Sequence, residues 1–270
     1  MKTGLEEKTV LITGASGGIG EATAREFAEE GVKLALHGYT RMERLEKLGQ
    51  ELPVETTLHQ ADLTDPEETK TMFKEITSRL GPPHAVVANA GIWPEEEVPV
   101  REMSLDRWDK TITTDQTSVF LCAREYFRSL EESDLEDASL VIVGSTAAVF
   151  GEENHADYSA AKAAITYGLT RSLKNEIVRI VPQGRVNAVC PGWTKTEMAE
   201  PEIHDPDLVS RTLQTRSHQS IGEPEDMARS ILFLSSPRLA RHITGEILTV
   251  SGGMEGRLLH EASDIDSSLE

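Results

Sequence analysis

Tyr158, Ser159, Ala160, Ala161 and Lys162 are consecutive and open a helical pattern. A spacing of four places the phenol and the ammonium on one face of a helix. A free phenol has a pKa of about 10, too high for a good base near neutrality. A neighbouring ammonium favours the phenolate and lowers that value. Tyr158 can then give a proton to a carbonyl oxygen, or take one from an alcohol. Ser145 closes an aliphatic run in Gly144-Ser145-Thr146, where its hydroxyl can hydrogen-bond the reacting oxygen. A Tyr–Lys pair on a helix surface and a Ser at a strand end are each common alone. Their combination carries the chemical reading.

A second group of residues suits phosphate. Thr13-Gly14-Ala15-Ser16-Gly17-Gly18-Ile19-Gly20 follows an aliphatic run and precedes a helical one. Glycines let the backbone approach a pyrophosphate and turn into the helix. The helix N-terminus offers free N–H groups and partial positive charge to the anion. The spacing is G-x-x-x-G-x-G rather than G-x-G-x-x-G, and an ordinary tight turn is the plain alternative. The position between strand and helix favours a dinucleotide. Its nicotinamide ring, when positively charged, would further lower the Tyr158 pKa. A carboxylate at the end of the second strand usually holds a ribose 2′-hydroxyl. Here the strand ends His37-Gly38-Tyr39-Thr40-Arg41, without one. Arg41 either meets a 2′-phosphate or simply begins a solvated helix. The balance tilts towards NADP(H) over NAD(H).

The elements that must position these groups are legible as alternating runs. Residues 8–13, 33–37, 54–59, 85–88, 139–144, 185–189 and 246–250 read as strands, mostly apolar on both faces. Helical patterns cover 20–30, 41–48, 66–80, 104–130, 156–181 and 224–234, with Asp65 as N-cap and Pro66 in the first turn of the third. Such alternation predicts an α/β fold: a single-domain, doubly wound parallel sheet of Rossmann type, about seven strands with helices on both faces. The expected catalytic domain spans 1–253, with a mobile substrate loop or lid carrying short helices at 193–221 and a polar, fraying tail at 254–270.

Composition narrows the partners. The 270-residue chain carries a formal charge of −19, which repels phosphate backbones and anionic lipid, so neither nucleic acid nor membrane is an expected partner. No apolar run approaches the roughly 20 residues of a membrane span. The N-terminus has no signal-peptide pattern. Cys122 and Cys190 are too few for a disulfide framework and form no metal motif, so no metal is expected. A reduced, cytoplasmic setting is the simpler expectation.

At this point the chain resembles the short-chain dehydrogenases/reductases over nearly its whole length. The matching pieces are TGASGGIG (13–20), Ala61-Asp62-Leu63, ANAG (88–91), Ser145, YSAAK (158–162), PGWTKT (191–196) and ITGEILTVSGG (243–253). The resemblance implies an NAD(P)-dependent oxidoreductase with Ser145, Tyr158 and Lys162 as catalytic residues. It implies that Gly14, Ser16, Gly18, Ile19 and Gly20 line the phosphates and that Asp62 and Leu63 sit by the adenine. Asn89, Ala90 and Gly91 would line the cofactor. Pro191 and Gly192, with Thr194 and Thr196, would hold the nicotinamide end, and Lys162 would also bond the nicotinamide ribose. A homodimer or homotetramer built partly on the two long central helices is implied as well.

Three departures stand out. Asp115 occupies the place of a family Asn that supports a proton relay, and an ionised Asp only accepts hydrogen bonds. A carboxylate there would also sit near Lys162. Gly17 stands where many NADP-using members carry a basic residue, and Ser251 where an acid often precedes the closing glycines.

The substrate is a small carbonyl or alcohol. The close resemblance to 3-oxoacyl-carrier-protein reductases makes that activity one option, with Arg179 as a basic docking residue. The acidic stretch Glu131 to Asp137 would repel an acidic carrier unless it faces away from the pocket. Trp93 and Trp193 face substrate or pack in core or lid. His155, three residues before Tyr158, either touches a substrate or sits at a surface turn, and the surface is the expectation. A nucleotide-sensing binding protein with vestigial catalysis is the reading from a different class, motivated by Asp115.

Overall fold

Leu11 and its flanking neighbours Val10 and Ile12 are all buried, yet on opposite faces of the sheet. Leu11 packs with Val86, Leu140 and Val186 under Ile76, Tyr126 and Ile165. Val10 and Ile12 pack with Leu36 and Val141 under Phe27, Leu45 and Ile231. Period-two side chains buried on both sides require helices on both faces. The computed structural model describes residues 2–261, 263 and 265, with Pro201 and Glu202 described by backbone alone.

The strands are β1 Thr9–Ile12, β2 Lys33–Gly38, β3 Thr56–Gln60, β4 Ala85–Ala88, β5 Asp137–Val143, β6 Gln183–Pro191 and β7 Ile247–Val250. All neighbours pair in parallel, in the order β3-β2-β1-β4-β5-β6-β7. The order reverses between β1 and β4, so a crevice opens at their carboxyl ends. The helices are α1 Gly18–Glu29, α2 Met42–Glu51, α3 Pro66–Leu80, α4 Leu105–Ile112, α5 Ser118–Glu131, α6 Ala147–Phe150, α7 Ala156–Ala163, α8 Thr170–Ile177, α9 Glu200–Ile203, α10 Pro206–Gln214 and α11 Pro224–Ser235. Among the described residues no helix is long and apolar enough to cross a membrane.

Asp65 caps α3 as the sequence predicts, accepting from the N–H groups of Glu67 (2.7 Å) and Glu68 (2.9 Å). The long helix expected at 104–130 differs. A π-helical turn at Thr113–Thr117 separates α4 from α5. A second, at Ala164–Leu169, separates α7 from α8, and α8 stops at Ile177. Periodicity alone does not register a one-residue widening of a helix, and π turns gather at functional sites. The expected loop 193–221 contains α9 and α10. The tail expected at 254–270 is tied down where described: Glu255 N–H donates to Thr215 O (2.9 Å) and Leu259 N–H to Gln214 O (2.7 Å). The rest of that expectation, at 262, 264 and 266–270, lies outside the described residues.

Candidate active site

The turn after β1 is held from beneath. The Thr13 hydroxyl accepts from the N–H groups of Asn89 (2.9 Å) and Ala90 (3.0 Å), and the Asn89 amide donates to the carbonyls of Thr13 (3.0 Å) and Gly14 (3.2 Å). Gly14 adopts φ +64°, and a Cβ there would lie 2.8 Å from Ala90 Cα. A Cβ on Gly20 would come within 2.2 Å of Gly14 O. The turn therefore exists only with glycine at both positions. Gly17 is the N-cap of α1 and carries no side-chain cap. The first amides of α1, at Gly18, Ile19 and Gly20, therefore receive no side-chain partner and suit an anion. These residues fit a dinucleotide pyrophosphate. Ser16 is buried beside Gly38.

A polar cluster lies at the carboxyl ends of β2 and β3, where the sequence reading expects the adenosine. Asp62 accepts from Thr64 through its N–H (2.9 Å) and hydroxyl (2.6 Å). The Thr64 bonds come first in holding the Asp62 carboxyl below its ordinary range, with burial opposing. Leu63 is buried against α3. Arg41 reaches Glu197, which also meets Arg44, and Arg44 pairs in turn with Glu21 at 2.9 Å. The pairing pattern of Arg41 thus depends on a residue 156 positions away.

At the other end of the crevice, Ser145 follows β5, and its Oγ accepts from Ala147 N–H at 3.1 Å. Ser145 acts on the Tyr158 hydroxyl and favours its phenolate. Lys162, one turn further along α7, places Nζ 5.5 Å from the Tyr158 ring centroid and donates to Val143 O at 3.4 Å. Asp157 pins this first turn of α7 to α4, accepting from Arg107 Nε (3.1 Å) and Thr111 Oγ1 (2.8 Å). The first π turn carries Asp115 fully into the interior. Its Oδ1 accepts from Ile92 N–H at 2.8 Å, and its Oδ2 stands 4.0 Å from Lys162 Nζ with no hydrogen-bond partner. The Gly91 backbone lies against this pair, with room for a Cβ only 3.1 Å from Asp115 Oδ1 and 3.2 Å from Lys162 Nζ.

The electrostatics differ from expectation in one respect. The sequence argument lets the ammonium lower the Tyr158 pKa. In the folded chain burial is the largest influence and pushes the phenol up; the Lys162 charge and the Ser145 hydroxyl oppose this without reversing it, and Asp115 and Glu152 add to the rise. A group 8% exposed has lost most of its water, which disfavours the phenolate more than one ammonium favours it. Burial likewise opposes the charge on Lys162, but Tyr158 and Asp115 together hold its pKa above the ordinary value. Burial raises the Asp115 carboxyl, with Lys162 and the Ile92 N–H opposing.

The wall beside Tyr158 is aromatic. Trp93 meets the Tyr158 ring edge-on at 4.8 Å and stacks on His155 at 4.1 Å. His155, expected at the surface, is only 4% exposed. Its ring nitrogens lie 2.9 Å from Pro94 O and 3.1 Å from Glu153 O, so the fold needs it as the floor under Trp93. Trp193 packs against a small cluster of Val209, Leu213 and Ile221. Pro191 ends β6, Gly192 N–H donates to Val250 O (2.9 Å), the Thr194 hydroxyl donates to Gly192 O (2.8 Å), and Thr196 rests on Gly18. Ser251 packs on Gly192.

The acidic stretch before β5 faces away. Asp137 opens β5 at the end opposite Ser145 and pairs with Lys8 at 2.7 Å. Arg179 sits in the turn before β6, at that same far end. Neither the repelling stretch nor the docking arginine is at the pocket, because both connections lead into the amino ends of strands. Residues that sequence reasoning left out of the site are Thr13, His37, Arg44, Asp157 and Glu197. Thr13 lay in the glycine motif; the others carry no local signal.

A family model described as enoyl-(acyl carrier protein) reductase matches residues 14–255. A 3-oxoacyl-[acyl-carrier-protein] reductase of Staphylococcus aureus is 32% identical over 251 residues, covering 92% of this chain and 98% of that protein. An acetoacetyl-CoA reductase of Synechocystis is 31% identical over 253 residues, covering 93% and 98%. Among solved structures, a short-chain dehydrogenase/reductase, glucose/ribitol dehydrogenase, from Brucella melitensis superposes with a TM-score of 0.85 at 31% identity, covering 94% of this chain and 99% of that one. A dehydrogenase/reductase from Sinorhizobium meliloti gives 0.84 at 29% identity, covering 93% and 96%.

Proposed function

We propose, on the premise that this chain belongs to the short-chain dehydrogenase/reductase family and is an NAD(P)-dependent oxidoreductase, that Tyr158 is its general acid and base. The substrate is a carbonyl compound or secondary alcohol. The observation that carries this reading is the buried Tyr158 phenol, with Ser145 acting on its hydroxyl and the Lys162 ammonium one helical turn away, 5.5 Å from its ring centroid. The dinucleotide, when bound, gives or takes the hydride. Ser145 holds the reacting oxygen by hydrogen bonding. Tyr158 gives that oxygen its proton in reduction and takes it back in oxidation. Lys162 stabilises the phenolate between these events, and Val143 O fixes the ammonium. Gly14, Ser16, Gly18, Ile19 and Gly20 receive the pyrophosphate, Asp62 and Leu63 flank the adenine, and Asn89 to Gly91 line the middle of the cofactor. Pro191, Gly192, Thr194 and Thr196 close over its nicotinamide end. The enzyme works in the cytoplasm as a homodimer or homotetramer. The assembled Ser145, Tyr158 and Lys162 speak for turnover rather than nucleotide sensing. A screen of ketones, sugars and acyl thioesters with NADH and NADPH in parallel tests the reading, and a blank across all of them rejects it.

Asp115 acts in this scheme as a positioning residue for Lys162 and for the Ile92 amide. Asn retains the carbonyl that accepts from Ile92, whereas Ala does not. Asp115→Asn is therefore expected to keep turnover within about threefold of wild type, and Asp115→Ala to lose roughly tenfold or more by stranding a buried N–H. Steady-state kinetics on both variants decide it; equal losses would remove the role.

NADP(H) is favoured over NAD(H) through Arg41, joined by Arg44. Both guanidinium groups are engaged by the Glu197 carboxylate, so a 2′-phosphate must compete with it. Glu197→Gln is expected to tighten NADPH binding several-fold at low salt while leaving NADH unchanged. Fluorescence titration of both nucleotides measures this, and an equal effect on the two would refute it.

A further inference from the structure

His37 lies near the end of β2 and is 2% exposed. Gly14 N–H donates to His37 Nδ1 at 3.2 Å. His37 Nε2 lies 2.9 Å from Ala61 O. An amide can only donate, so Nδ1 is the acceptor and the ring proton sits on Nε2, where it is donated to Ala61. One neutral tautomer satisfies both contacts. A protonated ring would aim a second N–H at the Gly14 amide. Burial, the largest influence, pushes the imidazole down to about 4; the Ala61 carbonyl opposes, His59 adds to the fall, and Asp62 opposes it.

The main chain of the same residue serves the same turn. Ala15 N–H donates to His37 O at 2.8 Å. Two successive amides of the glycine turn are therefore tied to one residue of β2, and the ring of that residue is tied to the loop that leads from Ala61 into Asp62. Three segments from three strands meet at one imidazole. Without it, the turn and the adenosine loop have no direct side-chain link through β2.

We propose that His37 is a positioning residue for the dinucleotide: as the neutral Nε2–H tautomer it sets the phosphate turn in register with the loop that receives the adenosine. This rests on the reading that the turn holds a dinucleotide. Loss of the ring leaves the Gly14 amide and the Ala61 carbonyl buried without partners, and the turn relaxes away from its anion-binding form. Asn restores an acceptor near Nδ1 and so restores the bond to Gly14.

The test uses the full-length chain, with NADH and NADPH titrated by fluorescence and a reducible ketone for turnover. His37→Leu is expected to raise the Kd of both nucleotides roughly tenfold. His37→Asn is expected to raise it less than threefold. In both, kcat and the ketone KM at saturating nucleotide stay within about twofold of wild type. An unchanged Kd in His37→Leu overturns the proposal, and so does a parallel loss in kcat and both KM values, which is the mark of general damage. Should His37→Leu not fold, histidine ¹⁵N spectra of the wild type decide the matter. They must show His37 protonated on Nε2 and displaced by NADPH; a ring protonated on Nδ1, or one indifferent to NADPH, overturns it. A wild-type chain that binds neither nucleotide overturns the reading beneath the proposal, an outcome distinct from binding that ignores His37.

Discussion

Tyr158→Phe is expected to lower turnover roughly 10²–10⁴-fold while nucleotide affinity stays within about twofold. The substitution removes one oxygen and keeps the ring. The edge contact with Trp93 at 4.8 Å and the packing of α7 are retained, so the loss reads the proton transfer rather than the fold. Pre-steady-state mixing of enzyme, NADPH and ketone would show hydride transfer slowed by the same factor. Full turnover in this variant removes Tyr158 from the chemistry. The wild-type pH dependence carries the matching sign. Reduction needs the phenol and oxidation needs the phenolate. Burial holds the pKa above its ordinary value even against Lys162. Ketone reduction should therefore persist into alkaline solution, while alcohol oxidation should go on rising with pH.

Lys162→Met should cost about 10²-fold in turnover and about 3 kcal/mol in stability near neutrality. An opposite charge within about 4–6 Å shifts a pKa by roughly 1–3 units, and removing it leaves burial unopposed at Tyr158. The stability loss has a different source. Asp115 is fully buried, and Lys162 is the cation near its Oδ2, at 4.0 Å. Removing one member of a buried pair strands the other. The two effects separate in the double variant Lys162→Met/Asp115→Asn, which should regain most of the stability and none of the turnover. Urea unfolding and steady-state kinetics on the three proteins measure both. Stability that remains low in the double variant would show that Lys162 supports the fold through packing instead.

The substrate remains the least constrained feature, and the fold says why. The sequence alone sets the stretch Glu131 to Asp137 against an acidic carrier protein. The sheet puts that stretch at the amino end of β5, where it does not face the pocket. The Trp93 wall instead borders the pocket, and beyond it the exposed Glu95, Glu96 and Glu97 continue the segment, with Glu97 accepting from Asn154 at 3.2 Å.

Much of the architecture was readable from the chain. Seven aliphatic runs became seven strands because a strand buried on both faces cannot be polar, and short-period burial is a local property of sequence. Asp65 capped its helix, and the glycine turn followed β1, because capping and positive φ are decided within a few residues. Tyr158 and Lys162 fell on one face for the same reason: four residues make a helical turn.

What the sequence could not determine are the relations between distant segments. The π turn that buries Asp115 depends on packing between α4 and α7. The pairing of Arg41 and Arg44 with Glu197 depends on where the chain around residue 197 returns to the start of α2. The sequence reading places His155 at a surface turn, and it is buried because Trp93 lies over it. The acidity of Tyr158 followed the same rule. Spacing fixed which charge stands near the phenol, a local fact. How much water the phenol loses was set by every element that closes over it, and desolvation in a folded interior outweighs the attraction of a single neighbouring ammonium.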